Sequence, residues 1–312
     1  MRLRSSAAAA AVATAASATA ATAALKVLPP VFSWAPCARA AAVFAAANGA
    51  GYAVSIASGG SHLHLDLIGS GAFVAAAAAT RGQHARTRLS AMLVGVWGAR
   101  LASFLFYRVV SSESQHDARL DSTNVRDFWA VSFLWGAICA LPHTIGAGAA
   151  RPAALGVLGV GAAALAVGGI AVESLADWQK HRFKADPANA GKFCSVGLYS
   201  FVQQPNYLGD LMLWSGVLLL NVPSTLVGLA GGSGGAKLAA LGRLGLATLS
   251  PVFMLALFYG QMHGTITNSA ELRYARYGAD PEFREYAQTT PFILPFIAPP
   301  PLKDVGGARD LP

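Results

Sequence analysis

The sequence predicts an all-α protein: a polytopic transmembrane helical bundle of about seven spans, with a polar loop and tail gathered on one membrane face. Three observations carry this expectation. Of 312 residues, 54% are hydrophobic and only 12% charged, and the mean hydropathy is +0.46. A soluble domain carries about 25% charged residues, so the composition suits a lipid-embedded chain. The apolar runs approach the roughly 20 residues needed to cross hydrocarbon, which disfavours a large Ala-rich soluble enzyme. No strand-like alternation or internal repeat is visible, whereas a closed membrane barrel needs alternating strands of roughly ten residues.

Taken in order, residues 1–30 are low-complexity Ala, Thr and Ser with Arg2 and Arg4, and no acidic residue occurs before Asp66. Such an Arg-bearing, acid-free segment reads as a targeting segment of the organelle-transit type, outside the fold. The expected compartment is a plastid membrane or the endoplasmic reticulum. The expected membrane domain is 38–297, with a polar tail over 298–312. Seven apolar segments fall at about 38–57, 63–80, 90–108, 128–143, 152–172, 208–222 and 237–262. The fifth carries no charge and is rich in Gly, which lets helices approach closely in a bilayer. With seven crossings, the 109–127 loop, the 173–207 loop and the segment after 262 share one side. Most of the polar chemistry lies in these three segments, above all in a loop expected to begin at Glu173.

Several functional classes are excluded. The net charge of +8 is not accompanied by interleaved aromatics or a nucleic-acid motif, so basic loops facing lipid head groups or an anionic cofactor explain it better. Cys37, Cys139 and Cys194 are widely spaced and form no metal or disulfide pattern. Nucleophile elbow, P-loop, HExxH and EF-hand motifs are absent, as is a GxGxxG in a strand-to-helix setting. A nucleotide would have to be held by polar segments over a helical bundle.

Ionisable residues inside spans are costly and call for partners. Arg100, deep in the third span, is expected to meet a carboxylate or a helix-end carbonyl. Arg108 ends the same span and could snorkel. Asp66 opens the second span as either a helix-start carboxylate or a site residue. His143, after Leu141-Pro142, reads as structural. Glu173 and Asp177 share a helical face at i and i+4, and Asp177 with Lys180 could be a surface pair. Asn206 after Pro205 could cap the helix that follows.

The stretch Gly191-Lys192-Phe193, Gly197-Leu198-Tyr199, Gln203-Gln204-Pro205-Asn206-Tyr207-Leu208-Gly209-Asp210 and Trp214 resembles the C-terminal signature of the steroid 5-alpha-reductase superfamily, in its broadly distributed branch. There the pattern runs Gly-Lys-Phe, Gly-Leu-Trp/Tyr, Ser-Arg-His-Pro-Asn-Tyr-x-Gly-Glu and a following Trp. Upstream, Trp97-Gly98, Arg100 and Leu101 are similar to the branch's Trp-Gly-x-Arg-Leu segment, and Tyr277-Gly278, Tyr286 and Pro295 fit the family ending. The likeness covers roughly residues 60–297. Two departures stand out: Gln203-Gln204 replaces Arg-His, and Trp135 stands where Gln is common.

The resemblance implies a membrane-bound, NADPH-dependent reductase of an activated carbon–carbon double bond in a steroid-like or other lipophilic substrate. Hydride from the cofactor reaches the beta carbon of an enone while an acid polarises the carbonyl. By position, Glu173, Asp177, Lys184, Asn206 and Tyr207 match the superfamily's cofactor-contacting segment, and Arg108 and Arg119 its upstream basic pair. Asn206 offers both donor and acceptor, Tyr207 a stacking ring, and Lys184 and Arg119 charge for phosphates. Tyr107 and Asp66 are the candidates for the proton donor; Asp66 would have to be protonated in a dry pocket. The partners implied are a lipophilic small molecule and membrane lipid. An S-adenosylmethionine-dependent membrane methyltransferase, of the isoprenylcysteine or phospholipid type, is the alternative on a related loop. A non-catalytic lipid-binding protein is a third reading, favoured by the Gln203-Gln204 change.

Overall fold

The computed structural model describes residues 31–59, 64–111, 124–262 and 269–299, with side chains at 261, 262 and 269–272 left aside. The targeting segment, Arg119 and most of the polar tail therefore lie outside the described residues. The helices are α1 Ala35–Ala57, α2 Leu65–Thr80, α3 Ala85–Val110, α4 Val125–Cys139, α5 Leu141–Ala147, α6 Val157–Ala185, α7 Pro205–Thr225, α8 Gly234–Met262, α9 Ser269–Tyr277 and α10 Pro281–Thr289. Among the described residues no strand occurs beyond an isolated bridge between Phe32 and Ala149. The all-α expectation holds.

Each of the seven expected apolar segments falls largely in helix, although 128–143 crosses from α4 into α5 and 152–156 precede α6. Four helices are long and apolar enough to cross a membrane: α1, α3, α6 and α8 over Gly234–Gly260. The α4–α5 pair makes a fifth if its 48° bend is counted within one span. Pro142 sits in the first turn after the bend, where it lacks the N–H that would continue the ladder. Helix α2 has 16 residues; at 1.5 Å per residue that is about 24 Å, short of the roughly 30 Å hydrocarbon core. Helix α7 has the length, but it carries Asn206, Asp210, Asn221 and Ser224. It is the enclosed helix of the bundle, packed by α6, α8, α5 and α3.

Two devices hold α7 in place. Along the α6–α7 seam small residues bring backbones together. A Cβ on Gly209 would stand 2.6 Å from both the Glu173 nitrogen and the Gly169 oxygen. One on Gly216 would stand 2.7 Å from the Ala162 oxygen. This is the close approach that small residues permit in lipid. In the middle of the bundle, rings fill the space. Phe73 meets Trp135, Trp97 and Trp214 edge-on or tilted at centroid distances of 4.9, 5.0 and 5.6 Å.

The end away from the polar segments is sealed by two buried arginines. Arg86 donates to the carbonyls of Ala153, Ala154 and Leu220, and Arg243 to those of Thr225 and Val227. Four of these carbonyls end a helix or lie in loops, where a guanidinium with five donors suits them, and Leu220 O lies inside α7. His143 lies in a hydrogen-bonded network nearby. Thr80 donates its hydroxyl to Ala76 O at 2.6 Å, so it accepts from His143 Nε2 at 2.9 Å. His143 Nδ1 then accepts from Ser90, which itself accepts from Asn221 Nδ2 at 2.8 Å. That is a structural histidine, as its place after Leu141-Pro142 at a span end suggested.

One boundary differs from expectation. The polar stretch after Glu173 is not a loop at its start: α6 continues through it to Ala185. Residues 173–185 contain no Gly or Pro and place Glu173, Ala176 and Asp177 on the buried face, so nothing stops the helix before Asp186-Pro187. The long helix carries its polar end beyond the apolar run.

Candidate functional site

The polar end of the bundle is assembled from α3, α6, the start of α7 and the C-terminal helices. Trp97 and Arg100 stand three residues apart on α3 and so face the same way. Trp97 Nε1 donates to Glu173 Oε2 at 2.8 Å and Arg100 Nη1 to Glu173 Oε1 at 2.7 Å. The other Arg100 nitrogen, Nη2, pairs with Asp177 Oδ2. Glu173 and Asp177, one helical turn apart, thus share a single guanidinium. Arg108, two turns further along α3, lies 3.8 Å from Asp66 at the opening of α2. The partner expected for Arg100 is a pair of carboxylates.

Across the seam, α7 presents a stripe of its own. Asn206, Asp210 and Trp214 follow one another at intervals of four, one above the next. Asn206 Oδ1, Asp210 Oδ1 and Trp214 Nε1 are all buried and make no hydrogen bond. Gly209 touches Glu173, so the stripe stands beside the Arg100 cluster, and Asp210 feels the charges of Glu173, Arg100 and Asp177. Helix α7 begins at Pro205 with no side-chain cap on its first turn. Asn206 therefore does not act as the cap considered from sequence.

The segment between α6 and α7 is folded back on both. Gln179 Oε1 accepts from Leu198 N at 2.9 Å. Gln203 N and Gln204 N donate to Pro291 O and Phe292 O at 2.8 and 3.0 Å. The Gln203 side chain donates to Ala287 O and Thr290 O and accepts from Arg273 Nη1 at 2.9 Å. Tyr286 donates its hydroxyl to Tyr199 O at 2.6 Å. Burial pushes the Tyr286 phenol up to about 12, partly offset by Arg273. Burial also raises Tyr199 and Cys194 and lowers the Arg273 guanidinium. Lys184, at the end of α6, donates to Tyr277 Oη at 2.7 Å and to Lys192 O.

The sequence-named residues therefore divide. Glu173, Asp177, Asn206 and Lys184 lie at one end with Arg108 and Asp66. Tyr207 stands in the same turn as Asn206, but its ring is stacked on Phe258 at 4.0 Å and 4°. Tyr107 is 55% exposed and meets His181 edge-on at 5.5 Å, on the outer side of α3 and α6. Trp97, Trp214 and Arg273 were not named from sequence as site residues. The first two were legible as i, i+3 and i, i+4 neighbours of Arg100 and Asp210. Arg273 was not, because its contact spans 70 residues.

The open polar groups can be matched against a ligand. The stripe offers two oxygen acceptors and one N–H donor. By helical rise, Asn206 to Trp214 is about 12 Å, longer than a single polar group. A nicotinamide riboside offers carboxamide N–H and C=O and ribose hydroxyls along a comparable length, and these residues are of the kind that could hold such a group. Lys184, Lys192 and Arg273, at the same end, are the cations suited to its phosphates. Among the described residues no group of His, Cys, Asp and Glu is arranged to hold a metal.

A family profile described as "Protein of unknown function (DUF1295)" matches residues 52–290. No curated protein and no solved structure matches the chain. The match takes in both the Arg100 cluster and the α7 stripe.

Proposed function

The chain belongs to the DUF1295 family, and on that premise we propose that it is a membrane-bound, NADPH-dependent reductase of an activated carbon–carbon double bond in a lipophilic substrate. The observation that carries this reading is the α7 stripe: Asn206 Oδ1, Asp210 Oδ1 and Trp214 Nε1, buried and unpartnered on one helix face. Buried polar groups without a partner are uncommon in native folds and call for an explanation, and three of them on one helix face beside the Arg100 cluster support a ligand there. The likeness of the 191–214 segment to the steroid 5-alpha-reductase superfamily supplies the chemistry. In this reading all seven apolar helices, including α2 and the enclosed α7, traverse the bilayer, and the segments near 109–127, 173–207 and after 262 share one face.

When bound, NADPH supplies the hydride. The protein's own part is placement. Asn206 and Asp210 accept from the nicotinamide half, and Trp214 donates to it. Lys184, Lys192 and Arg273 receive phosphate charge, with Arg119 an expected contributor. Arg100 fixes Glu173 and Asp177 so that the wall behind the stripe keeps its shape. Tyr107 and Asp66 are the candidate acids beside Arg108, and the substrate enters from the lipid.

S-adenosylmethionine is the competing cofactor. Titrating NADPH and S-adenosylmethionine separately against the protein's thermal stability in detergent distinguishes them. A cofactor that binds only the folded state stabilises it by about 2.7 kcal/mol at a hundredfold excess over Kd. Stabilisation by S-adenosylmethionine alone would replace the reductase with a methyltransferase, and no response to either would favour a non-catalytic lipid-binding protein.

A further inference from the structure

Beyond the reductase reading, the C-terminal turn points to a contact with the bilayer itself. After α10 the chain runs Pro291-Phe292-Ile293-Leu294-Pro295-Phe296-Ile297. Phe292 and Ile293 are buried in the main core. The Phe292 ring meets that of Tyr259 at 5.6 Å. Tyr259 is next to the last residue of the membrane-length stretch Gly234–Gly260. The segment is thereby pinned beside the C-terminal end of that stretch.

The next four residues form a tight turn, closed by Ile297 N donating to Leu294 O at 3.2 Å. Pro295 occupies the second position, which its ring geometry favours. Phe296 occupies the third with φ of 72°, the position of a type II turn normally given to Gly or Asn. Among the described residues it is the only non-glycine with positive φ. A bulky residue there is a genuine outlier, and an outlier at a surface points to function. The Phe296 ring is fully exposed and Ile297 is about half exposed. Nothing within the described chain rewards the strained backbone or the bare ring.

We propose that the Leu294–Ile297 turn is an interfacial anchor, with Phe296 and Ile297 inserted among the upper acyl chains of the membrane. The turn conformation aims the ring away from the bundle. The lipid that surrounds α8 at the same level supplies the apolar surroundings that the ring lacks. Aromatic residues at span ends are the usual anchors of depth and tilt. The anchor would fix the C-terminal segment, and with it the Gln203 contacts at the polar end, relative to the bilayer.

The test places 4-trifluoromethylphenylalanine at position 296 of the full chain in phosphatidylcholine nanodiscs and follows its fluorine resonance. The same label at Phe283, which is buried under α9, is the control. The expected result is strong broadening at 296 by a lipid bearing a nitroxide high on its acyl chain, and much weaker broadening by a water-soluble gadolinium chelate. Equal or stronger broadening by the chelate would put the ring in water and overturn the proposal. Broadening by neither agent, as expected at Phe283, would mean that protein covers the ring, for example a second copy, and would overturn it equally.

Discussion

Arg273 donates to the side-chain oxygen of Gln203 at 2.9 Å, while the Gln203 amide nitrogen donates to Ala287 O and Thr290 O. One buried glutamine thus joins the start of α7 to both C-terminal helices. It stands where the resembled superfamily has arginine. Here the cation arrives from α9 instead, and position 203 must accept rather than donate. Gln203→Arg should therefore set two guanidinium groups against each other, at a cost of about 3–5 kcal/mol as for an uncompensated buried charge. Adding Arg273→Gln should restore much of that stability. Thermal unfolding of the two single variants and the double variant in detergent checks it; a double variant no better than Gln203→Arg would contradict the exchange of roles.

The Arg100 cluster makes a sharper demand. Removing the guanidinium in Arg100→Ala leaves Glu173 and Asp177 facing each other without a counter-ion, and the expected loss is about 3–5 kcal/mol. Glu173→Gln in the same background should recover part of it, so the two changes should be far from additive. Additive losses would mean that the pair does not share its energy as the 2.7 Å contact implies.

Helix approach is tested by paired glycine substitutions. Gly209→Ala places a Cβ 2.6 Å from backbone atoms of α6 and should cost about 1–3 kcal/mol through overpacking. Gly245→Ala, on α8, meets nothing within 4 Å and should be neutral or stabilise by up to about 1 kcal/mol. Equal effects from both would show that the α6–α7 seam is looser than described.

Alkaline stability follows from Tyr286. Its phenol is raised to about 12 in the fold from an ordinary value of 10.0. Between these values the folded protein holds a proton that the unfolded chain releases. Stability from this group is full below pH 10.0 and falls as pH rises towards about 12. Tyr286→Phe should flatten that part of the stability–pH curve, and below it should cost about 1 kcal/mol for the bond to Tyr199 O. An unchanged slope in the variant would remove Tyr286 as the cause.

Much of the fold was legible because each apolar segment is bounded by charge, Gly or Pro, and each expected segment falls largely in helix. Four helices, or five with α4–α5 joined, are long and apolar enough to cross a membrane, because α2 is short and α7 is enclosed among its neighbours. The end of α6 was misplaced because the polar run at Glu173 imitates a loop, whereas its residues lack any helix breaker. The Glu173–Asp177 face and the need of Arg100 for a carboxylate were readable from local spacing. Gln203 was readable only as a departure, because its meaning depends on Arg273, Ala287 and Thr290, far away in the chain. Three of the open groups on α7, at 206, 210 and 214, follow the i, i+4, i+8 pattern, but burial without a partner is a property that only the packed bundle reveals.

The central claim is that the Asn206–Asp210–Trp214 stripe receives NADPH, and equilibrium binding to the purified protein in detergent tests it most directly. NADPH and S-adenosylmethionine would be titrated into the unaltered chain, Asn206→Ala, Asp210→Asn and the exposed control Gly245→Ala. The account predicts saturable NADPH binding, unchanged in Gly245→Ala and weakened about tenfold, or about 1.4 kcal/mol, in Asn206→Ala. NADPH binding that is indifferent to both stripe variants, or absent from a folded protein, would contradict it.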